Sequence, residues 1–225
     1  MPGRRSASAE DSKRSCQPEL LDSLAPDHPD AIHSRRDLRI VNRFMRNLTW
    51  FERTLSGLVR PDERVLELGA GTGEMGRRLH KRALAADGLD LWPRPDGWPG
   101  DRAWHQADLR MFGGYGAYPV VIGNLIFHQF TDGELAALGG VLRRSARVVA
   151  ASEPLRRKLS RTMMAAVAPY LGANHVTLHD ADVSIRAGFL GEELPVLLGM
   201  NDGHWDYACT LTPLGAYRMV ATRRP

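Results

Sequence analysis

The chain has 225 residues, of which 43% are hydrophobic and 25% are charged, and its formal net charge at pH 7 is +4. This length suits one catalytic domain with additions, and the composition excludes a fibrous or wholly disordered protein. Cys16 and Cys209 are the only cysteines, too few for a disulfide framework. Because no signal-peptide pattern and no run of 18 apolar residues occurs, we expect a cytoplasmic protein without membrane association.

Basic residues outnumber acidic ones, with 30 Lys and Arg against 26 Asp and Glu. Such an excess raises the question of nucleic-acid binding, because clustered cations neutralise phosphates. The basic runs are short and lie far apart, as at residues 4–5, 77–78 and 156–158. Short basic runs are usually solvated helix faces, so a nucleic acid is not the expected partner.

The first 60 residues divide into two predicted segments. Residues 1–35 are rich in Ser, Pro, Asp and Arg, with a brief apolar patch at Leu20 and Leu21, which predicts a flexible tail. Residues 36–60 carry apolar side chains at three- and four-residue steps, the spacing of an amphipathic helix. We expect a helical cap there, with a break near Asn47.

Strand and helix patterns alternate over residues 61–225, the predicted catalytic domain. Five apolar runs predict strands, at 64–68, 85–91, 103–107, 119–123 and 147–151. Helices are predicted at 74–83 and after a capping-box sequence at 131–134.

The end of the chain has a different pattern. Residues 205–211 and 217–222 are strand-like and are joined by a short link, which predicts an antiparallel hairpin. The predicted fold class is therefore α/β, with a mostly parallel seven-stranded sheet, an antiparallel C-terminal hairpin strand and the N-terminal helical cap. Residues 154–190 form an insertion that we expect to cover the ligand edge as a lid.

A predicted strand runs directly into a glycine-rich turn at residues 65–73, which read VLELGAGTG. Glycines there let a ligand approach the backbone closely. A GxGxxG spacing, typical of dinucleotide-binding proteins, starts at Gly71, but it lies two residues past the strand end at Gly69. If the motif is aligned to start at the strand end, at Gly69, Glu74 takes the place of the third glycine. An acid at that helix N-terminus would repel a pyrophosphate. Glu67, inside the strand, suits a cationic amino-acid ligand better.

The turn resembles the first motif of class I S-adenosylmethionine-dependent methyltransferases. The resemblance extends to residues 88–92 (GLDLW), whose Asp90 would bind the ribose hydroxyls, and to residues 106–109 (QADL), whose Asp108 would meet the adenine amino group. It implies a Rossmann-like methyltransferase fold, S-adenosylmethionine as cofactor and S-adenosylhomocysteine as product. The implied cofactor-binding residues are Glu67, Gly69, Ala70, Gly71, Thr72, Gly73, Asp90, Leu91, Asp108, Leu109 and Asn124.

Two further segments narrow the resemblance. Residues 39–45 (RIVNRFM) and 183–189 (VSIRAGF) are similar to bacterial small-molecule methyltransferases related to quinone-biosynthesis enzymes. These segments are short and degenerate, whereas the class-level resemblance covers residues 60–153 well and 190–223 in outline. The sequence thus implies a small-molecule acceptor.

Residues 123–130 (GNLIFHQF) follow the predicted fourth strand, where the acceptor and the transferred methyl group should meet. They lack the Asn/Asp-Pro-Pro-aromatic motif of enzymes that methylate exocyclic amines of nucleobases. Neither cysteine lies nearby in sequence to act as the nucleophile of a cytosine C5 enzyme. Both classes are disfavoured.

No metal site is expected. His175 and His179, with Asp180 and Asp182, are the best ligand set, but i,i+4 histidines converge only on a helix. Residues 176–178 read as extended, so these four side chains are interpreted as ordinary surface or lid residues.

His128 is the predicted catalytic residue, because a neutral imidazole can accept a proton from a hydroxyl acceptor near pH 7. The alternative, given equal weight, is that His128 caps the helix that begins near Thr131 or binds a backbone group. Glu153, at the end of the fifth strand, is a second candidate base.

The sequence therefore predicts methyl transfer to an oxygen or carbon of a small aromatic, polyketide-like or quinone-like metabolite. An RNA or protein methyltransferase is one alternative. A nicotinamide-dependent oxidoreductase and a noncatalytic protein that binds the same cofactor are the others. The oligomeric state is left open, with a homodimer as one option.

Overall fold

The computed structural model describes residues 13–25, 27–167 and 172–225. Its strands are β1 (Val65–Leu68), β2 (Ala86–Asp90), β3 (Trp104–Gln106), β4 (Val120–Asn124), β5 (Val148–Pro154), β6 (Trp205–Leu211) and β7 (Ala216–Arg223). They form one seven-stranded sheet in the order β3-β2-β1-β4-β5-β7-β6. Strands β1 to β5 are parallel, and β7 is antiparallel to both of its neighbours.

Helices flank the sheet. They are α1 (Leu20–Ser23), α2 (Pro29–Met45), α3 (Asn47–Leu58), α4 (Glu74–His80), α5 (Asp132–Ser145), α6 (Lys158–Val167), α7 (His175–Ala187) and α8 (Glu193–Leu197). Within the described ranges, no helix is both long and apolar enough to cross a membrane.

Two apolar layers lie on opposite faces of the sheet, because successive residues of a strand point to opposite sides. One layer contains Leu66, Leu68 and Val121 of the sheet with Leu135 and Leu142 of α5. The other contains strand residues and helix residues of α3 and α4, namely Val65, Val120, Ile122, Phe51, Leu55, Met75 and Leu79. The central strands are therefore buried on both faces, as in a doubly wound α/β domain.

The strand order reverses between β1 and β4, which lie side by side while β2 and β5 continue in opposite directions across the sheet. Ligands of open α/β sheets bind at such a reversal, beyond the carboxyl ends of the strands. Asp90, Asn124 and Glu153 all lie at the carboxyl ends of their strands. This edge is the candidate active site.

The predicted fold class is confirmed. Each predicted strand overlaps an observed one, and the terminal hairpin is antiparallel. The capping box at Thr131 is present, with the Thr131 side chain accepting from the Glu134 amide. The break expected near Asn47 lies at Arg46, whose left-handed backbone (φ 57°, ψ 31°) separates α2 from α3.

Residues 176–178 were expected to be extended, but they are helical. They lie in the first turn of α7, where the Asn174 side chain accepts a hydrogen bond from the Thr177 amide as the helix cap. The capping asparagine outweighs the local strand propensity. Histidines 175 and 179 therefore do lie one helical turn apart.

The boundary between the tail and the helical cap, which was expected at residue 35, lies earlier in the chain. Helix α2 begins at Pro29, a favoured first helical residue, after His28, whose side chain accepts from the Asp30 amide. Residues 14–24 contact the domain, as described below. The parts of these predictions that fall on residues 1–12, on Pro26 and on residues 168–171 lie outside the described residues.

Candidate active site

The glycine loop after β1 has an unusual backbone. Gly69, Gly71 and Gly73 have φ angles of 60°, 51° and 70°, which side chains rarely adopt. A Cβ at Gly69 would lie 2.6 Å from Ile126 Cδ1, and one at Gly73 would lie 2.8 Å from Trp98 Cε3. At Gly71 the nearest atom would be 3.9 Å away. Packing thus requires the outer two glycines, whereas the backbone at Gly71 borders open space that a ligand can occupy.

Asp90, the last residue of β2, turns its carboxylate onto this loop. Its Oδ2 accepts a hydrogen bond from the Gly71 amide (2.7 Å), and its Oδ1 accepts one from the Trp92 amide (2.9 Å). The neighbouring Leu91 is 64% exposed. The structure therefore brings together the predicted ribose acid, the glycine loop and an apolar surface.

Asp108 and Leu109 follow β3, at the same carboxyl edge of the sheet as Asp90. The Asp108 carboxylate forms an ion pair with Arg110, with a shortest distance of 2.6 Å, and Arg110 also binds Glu134. Hydrogen bonding by Arg110 lowers the pKa of Asp108. Leu109 is buried, and its carbonyl accepts a hydrogen bond from the Tyr115 hydroxyl. A ligand at Asp108 would share the carboxylate with Arg110.

Glu67 lies inside β1, as the sequence predicted. Its side chain is buried on the α4 side of the sheet, against the backbone of Gly76, and its Oε2 has no hydrogen-bond partner among the described residues. Burial raises the pKa of Glu67 to about 8. The carboxyl group therefore lies beneath the first turn of α4, adjacent to the glycine loop.

Asn124, at the end of β4, belongs to a cluster of amide side chains that the sequence analysis did not identify. It donates to Asn42 Oδ1 and accepts from Asn47 Nδ2, each at 3.0 Å. Asn47 also accepts from the Ser152 hydroxyl of β5 (2.9 Å). These bonds fix α2 and α3 over the carboxyl edge. The sequence had singled out Asn124 as a site residue and Asn47 as the helix break, and Asn42 lies in the segment 39–45, but nothing in the sequence indicated that the three side chains meet.

His128 lies in a 3-10 turn just after β4 and is buried between two acids. Its Nδ1 is 2.6 Å from Glu153 Oε2, and its Nε2 is 3.3 Å from Glu19 Oε1. Glu153 is fully buried, and it also accepts hydrogen bonds from the amides of Ile126, Phe127 and His128. The two candidate bases of the sequence analysis are therefore one hydrogen-bonded pair.

These surroundings change the ionisation of His128. Burial disfavours the imidazolium, but the hydrogen bonds and charges of Glu153 and Glu19 outweigh it and raise the pKa of His128 to about 9. His128 is thus protonated at pH 7 while Glu19 remains in contact, contrary to the expected neutral imidazole. The alternative role as a helix cap is also wrong, because Thr131 caps α5.

Glu19 belongs to the segment that was predicted to be a flexible tail. The Ser184 hydroxyl of α7 donates to Glu19 Oε1. The amides of Leu20 and Leu21 donate to the Asp180 carboxylate, at 2.7 and 2.9 Å. Arg14 donates to backbone carbonyls of residues 128, 130 and 187 and pairs with Asp132. We call residues 13–24 the cover segment, since they lie over the His128 side chain.

Three of the four α7 side chains that were weighed as metal ligands have other partners. Asp180 binds the amides of the cover segment and His179, while Asp182 pairs with Arg161 and Arg186. In the ranges that the structure describes, no three or more His, Cys, Asp or Glu side chains are arranged to hold a metal ion.

Several solved structures share this fold at low sequence identity. The plantazolicin methyltransferase BpumL in complex with SAH is 14% identical, with 88% of this chain and 92% of that chain covered and a TM-score of 0.66. The magnesium protoporphyrin IX methyltransferase ChlM from Synechocystis PCC 6803, with bound SAH, is 16% identical, with 84% and 86% covered and a TM-score of 0.57.

A third structure, the methyltransferase domain of bacterial CtHen1, is 15% identical, with 81% of this chain and 99% of that chain covered and a TM-score of 0.55. No protein-family model and no curated protein matches the sequence. The chain has the Rossmann-like fold of the class I S-adenosylmethionine-dependent methyltransferases.

Proposed function

We propose that this protein is an S-adenosylmethionine-dependent methyltransferase that acts on a small aromatic, polyketide-like or quinone-like metabolite. The observation that carries the proposal is the pairing of the open backbone at Gly71 with the Asp90 carboxylate, at the point where the strand order reverses. The solved structures of this fold include SAH complexes, which supports the same cofactor here.

The residues at this edge fit the cofactor. Asp90 presents a carboxylate that can accept hydrogen bonds from two vicinal ribose hydroxyls. Leu91 offers an exposed apolar surface for the adenine, and Asp108 and Leu109 follow the neighbouring strand β3. Glu67 supplies a buried, unpartnered carboxyl oxygen close to the loop, where an ammonium group would lower its pKa.

When bound, S-adenosylmethionine supplies an activated methyl group, and the electron pair of the broken carbon–sulfur bond stays on sulfur. Such a transfer requires mainly positioning and exclusion of water. Asn42, Asn47 and Asn124 hold the N-terminal helices over the edge, and the cover segment lies over His128. Together they would shield the reacting atoms from solvent.

The pair of His128 and Glu153 favours oxygen as the methylated atom. Glu153 holds Nδ1, so Nε2 is the nitrogen that faces the cover segment. When Glu19 moves away, His128 loses one of the two acids that raise its pKa, and its Nε2 can take the proton of an acceptor hydroxyl. Glu153 then stabilises the imidazolium that forms, while the deprotonating oxygen bonds to the methyl carbon.

The test is incubation with isotope-labelled S-adenosylmethionine and a panel of phenols, quinols and polyketides, followed by mass spectrometry. Label should enter a hydroxyl-bearing acceptor. Equilibrium binding of S-adenosylmethionine and NAD, measured in parallel, separates this function from that of a nicotinamide-dependent enzyme. NAD binding without S-adenosylmethionine binding would overturn the proposal.

The cofactor site is tested by Asp90→Ala, with Asp62→Ala, an exposed acid before β1, as the matched control. Loss of the ribose contact should weaken binding of S-adenosylmethionine by about 1.5–3 kcal/mol. The control should bind as the wild type does. Equal affinity of the two variants, with both folded, would show that Asp90 does not hold the ribose.

A further inference from the structure

A cleft of about 510 Å³ lies between α2, the start of α3 and α4. Five arginines line it, namely Arg36, Arg39, Arg43, Arg46 and Arg78, and Glu74 is the only acid among its lining residues. This volume is typical of a site for a small molecule. The lining includes the apolar Ile40 and Leu48, but its charge is strongly positive, with five guanidinium groups and one carboxylate.

Protein carboxylates neutralise only part of this charge. Arg36 contacts Asp37 (3.2 Å), and Arg78 binds Glu52 (2.7 Å). Arg39, Arg43 and Arg46 form no ion pair with any residue that the structure describes, and all three are exposed. Three guanidinium groups therefore line one cleft without a carboxylate partner in the described part of the chain.

The arrangement opposes local stability. Arg39 and Arg43 stand one helical turn apart on α2, where like charges repel. Arg46 adopts a left-handed backbone conformation (φ 57°) that is costly for a residue with a side chain. Burial and the charge of the nearby Arg46 lower the pKa of Arg218 in β7. An anion in the cleft would remove these repulsions.

The cleft adjoins the cofactor loop and the acceptor edge. Glu74 follows Gly73 directly, and Asn42 in the wall of the cleft is hydrogen-bonded to Asn124 at the end of β4. One guanidinium would suffice for the single carboxylate of S-adenosylmethionine. The others are then available to the molecule that is methylated.

We propose that this cleft binds carboxylate or phosphate groups of the methyl acceptor, so that the substrate is a small organic molecule with two or more anionic groups. The proposal rests on the proposed function. Guanidinium groups suit it because their planar fork binds carboxylate and phosphate oxygens in pairs. The five arginines are confined to one cleft of this size, which fits a small molecule better than a polymer, whose phosphates would need a longer basic track.

Calorimetric titration of the full chain with inorganic pyrophosphate and with citrate, at constant ionic strength and saturating S-adenosylhomocysteine, tests the proposal. One of these probes should bind the wild type at least roughly tenfold more tightly than Arg39→Gln/Arg43→Gln. Preference for pyrophosphate or for citrate distinguishes a phosphate-bearing from a carboxylate-bearing acceptor. Arg43→Lys should show an intermediate affinity, because lysine keeps the charge but loses the fork.

The matched control is Arg144→Gln/Arg223→Gln, which removes the same charge at the opposite, amino-terminal edge of the parallel strands. It should bind both probes as the wild type does. Equal weakening in the two double variants, or no binding to the wild type, would overturn the proposal. Tighter binding of a short single-stranded RNA that depends on Arg39 and Arg43 would also overturn it in favour of a nucleic-acid contact.

Binding of S-adenosylhomocysteine alone is measured for every variant. If the wild type binds S-adenosylhomocysteine but neither probe, the anionic acceptor is wrong and the proposed function stands. If the probes bind and S-adenosylhomocysteine does not, the cleft is an anion site and the proposed function fails. Thermal unfolding checks that each variant is folded.

Discussion

Glu153 Oε2 lies 2.6 Å from His128 Nδ1, and both side chains are buried at the carboxyl edge of the sheet. Glu153 also accepts hydrogen bonds from the backbone amides of residues 126–128. Its carboxylate is therefore fixed before any ligand binds. The orientation of the imidazole follows from that carboxylate. Nε2 is consequently the only ring nitrogen that can face an acceptor.

Replacing His128 by Gln should slow methyl transfer by roughly 10²–10⁴-fold, the usual contribution of a positioned base. Affinity for S-adenosylmethionine should change little, since His128 touches neither the glycine loop nor Asp90. The measurement is single-turnover rate and cofactor affinity, with His204→Gln, an exposed histidine, as control. An unchanged rate in His128→Gln would remove His128 from the mechanism.

The charge of His128 should make stability depend on pH. The pKa of His128 is about 9 in the folded chain against an ordinary value of 6.5, so its ion pairs contribute fully below pH 6.5 and are lost as the pH rises through 9. The difference in unfolding free energy between the wild type and His128→Gln should shrink over that window, by about 1–3 kcal/mol. Thermal or denaturant unfolding from pH 6 to pH 10 measures it, and a constant difference would contradict the assigned pKa.

Glu19→Gln should shift the pH profile of transfer. Removing one of the two acids that hold His128 lowers the pKa of the imidazole, so the rate should rise at a lower pH than in the wild type. Ser184→Ala, which removes the hydroxyl bound to Glu19 but no charge, is the matched variant and should shift the profile less. The same profile in the wild type and Glu19→Gln would show that the cover segment is already displaced during turnover.

The sequence predicted the parts of this protein that local patterns encode. Apolar runs ended by glycines located β1 and its loop, and the capping box located α5. The cover segment could not be predicted, because it is held by individual polar contacts with residues that are distant in sequence. The hydrogen bond from the Leu20 amide to the Asp180 carboxylate is an example. The ionisation of His128 was missed for the same reason. The pKa of His128 depends on Glu153, 25 residues away, and on Glu19, 109 residues away.

Gly71→Ala should abolish cofactor binding at a modest cost in stability. Among the described residues, the new Cβ would meet no atom closer than 3.9 Å, so it would instead fill the space of the ligand. Gly191 is the matched control, since its φ is 50° against 51° for Gly71 and nothing lies within 4 Å of its Cβ position. Both variants should lose about 1 kcal/mol of stability from the left-handed backbone. Only Gly71→Ala should lose binding by calorimetry, and equal affinities would place the cofactor elsewhere.

Glu67→Gln should stabilise the protein at alkaline pH. Burial raises the pKa of Glu67 to about 8 from 4.5, so the neutral carboxyl group favours folding below pH 4.5 and that contribution is lost as the pH rises through 8. Glutamine has the shape of the protonated acid and keeps a carbonyl oxygen close to the backbone of Gly76. Without ligand, the unfolding free energy of the variant should therefore match that of the wild type near pH 5 and exceed it by about 1–3 kcal/mol at pH 9.

With S-adenosylmethionine the wild type should be the more stable protein at pH 9, because a cofactor ammonium group near the loop would pair with the charged carboxylate and lower its pKa. Unfolding curves of both proteins at the two pH values, with and without cofactor, measure these four differences. A variant that is stabilised equally with and without cofactor would show that Glu67 supports only the fold.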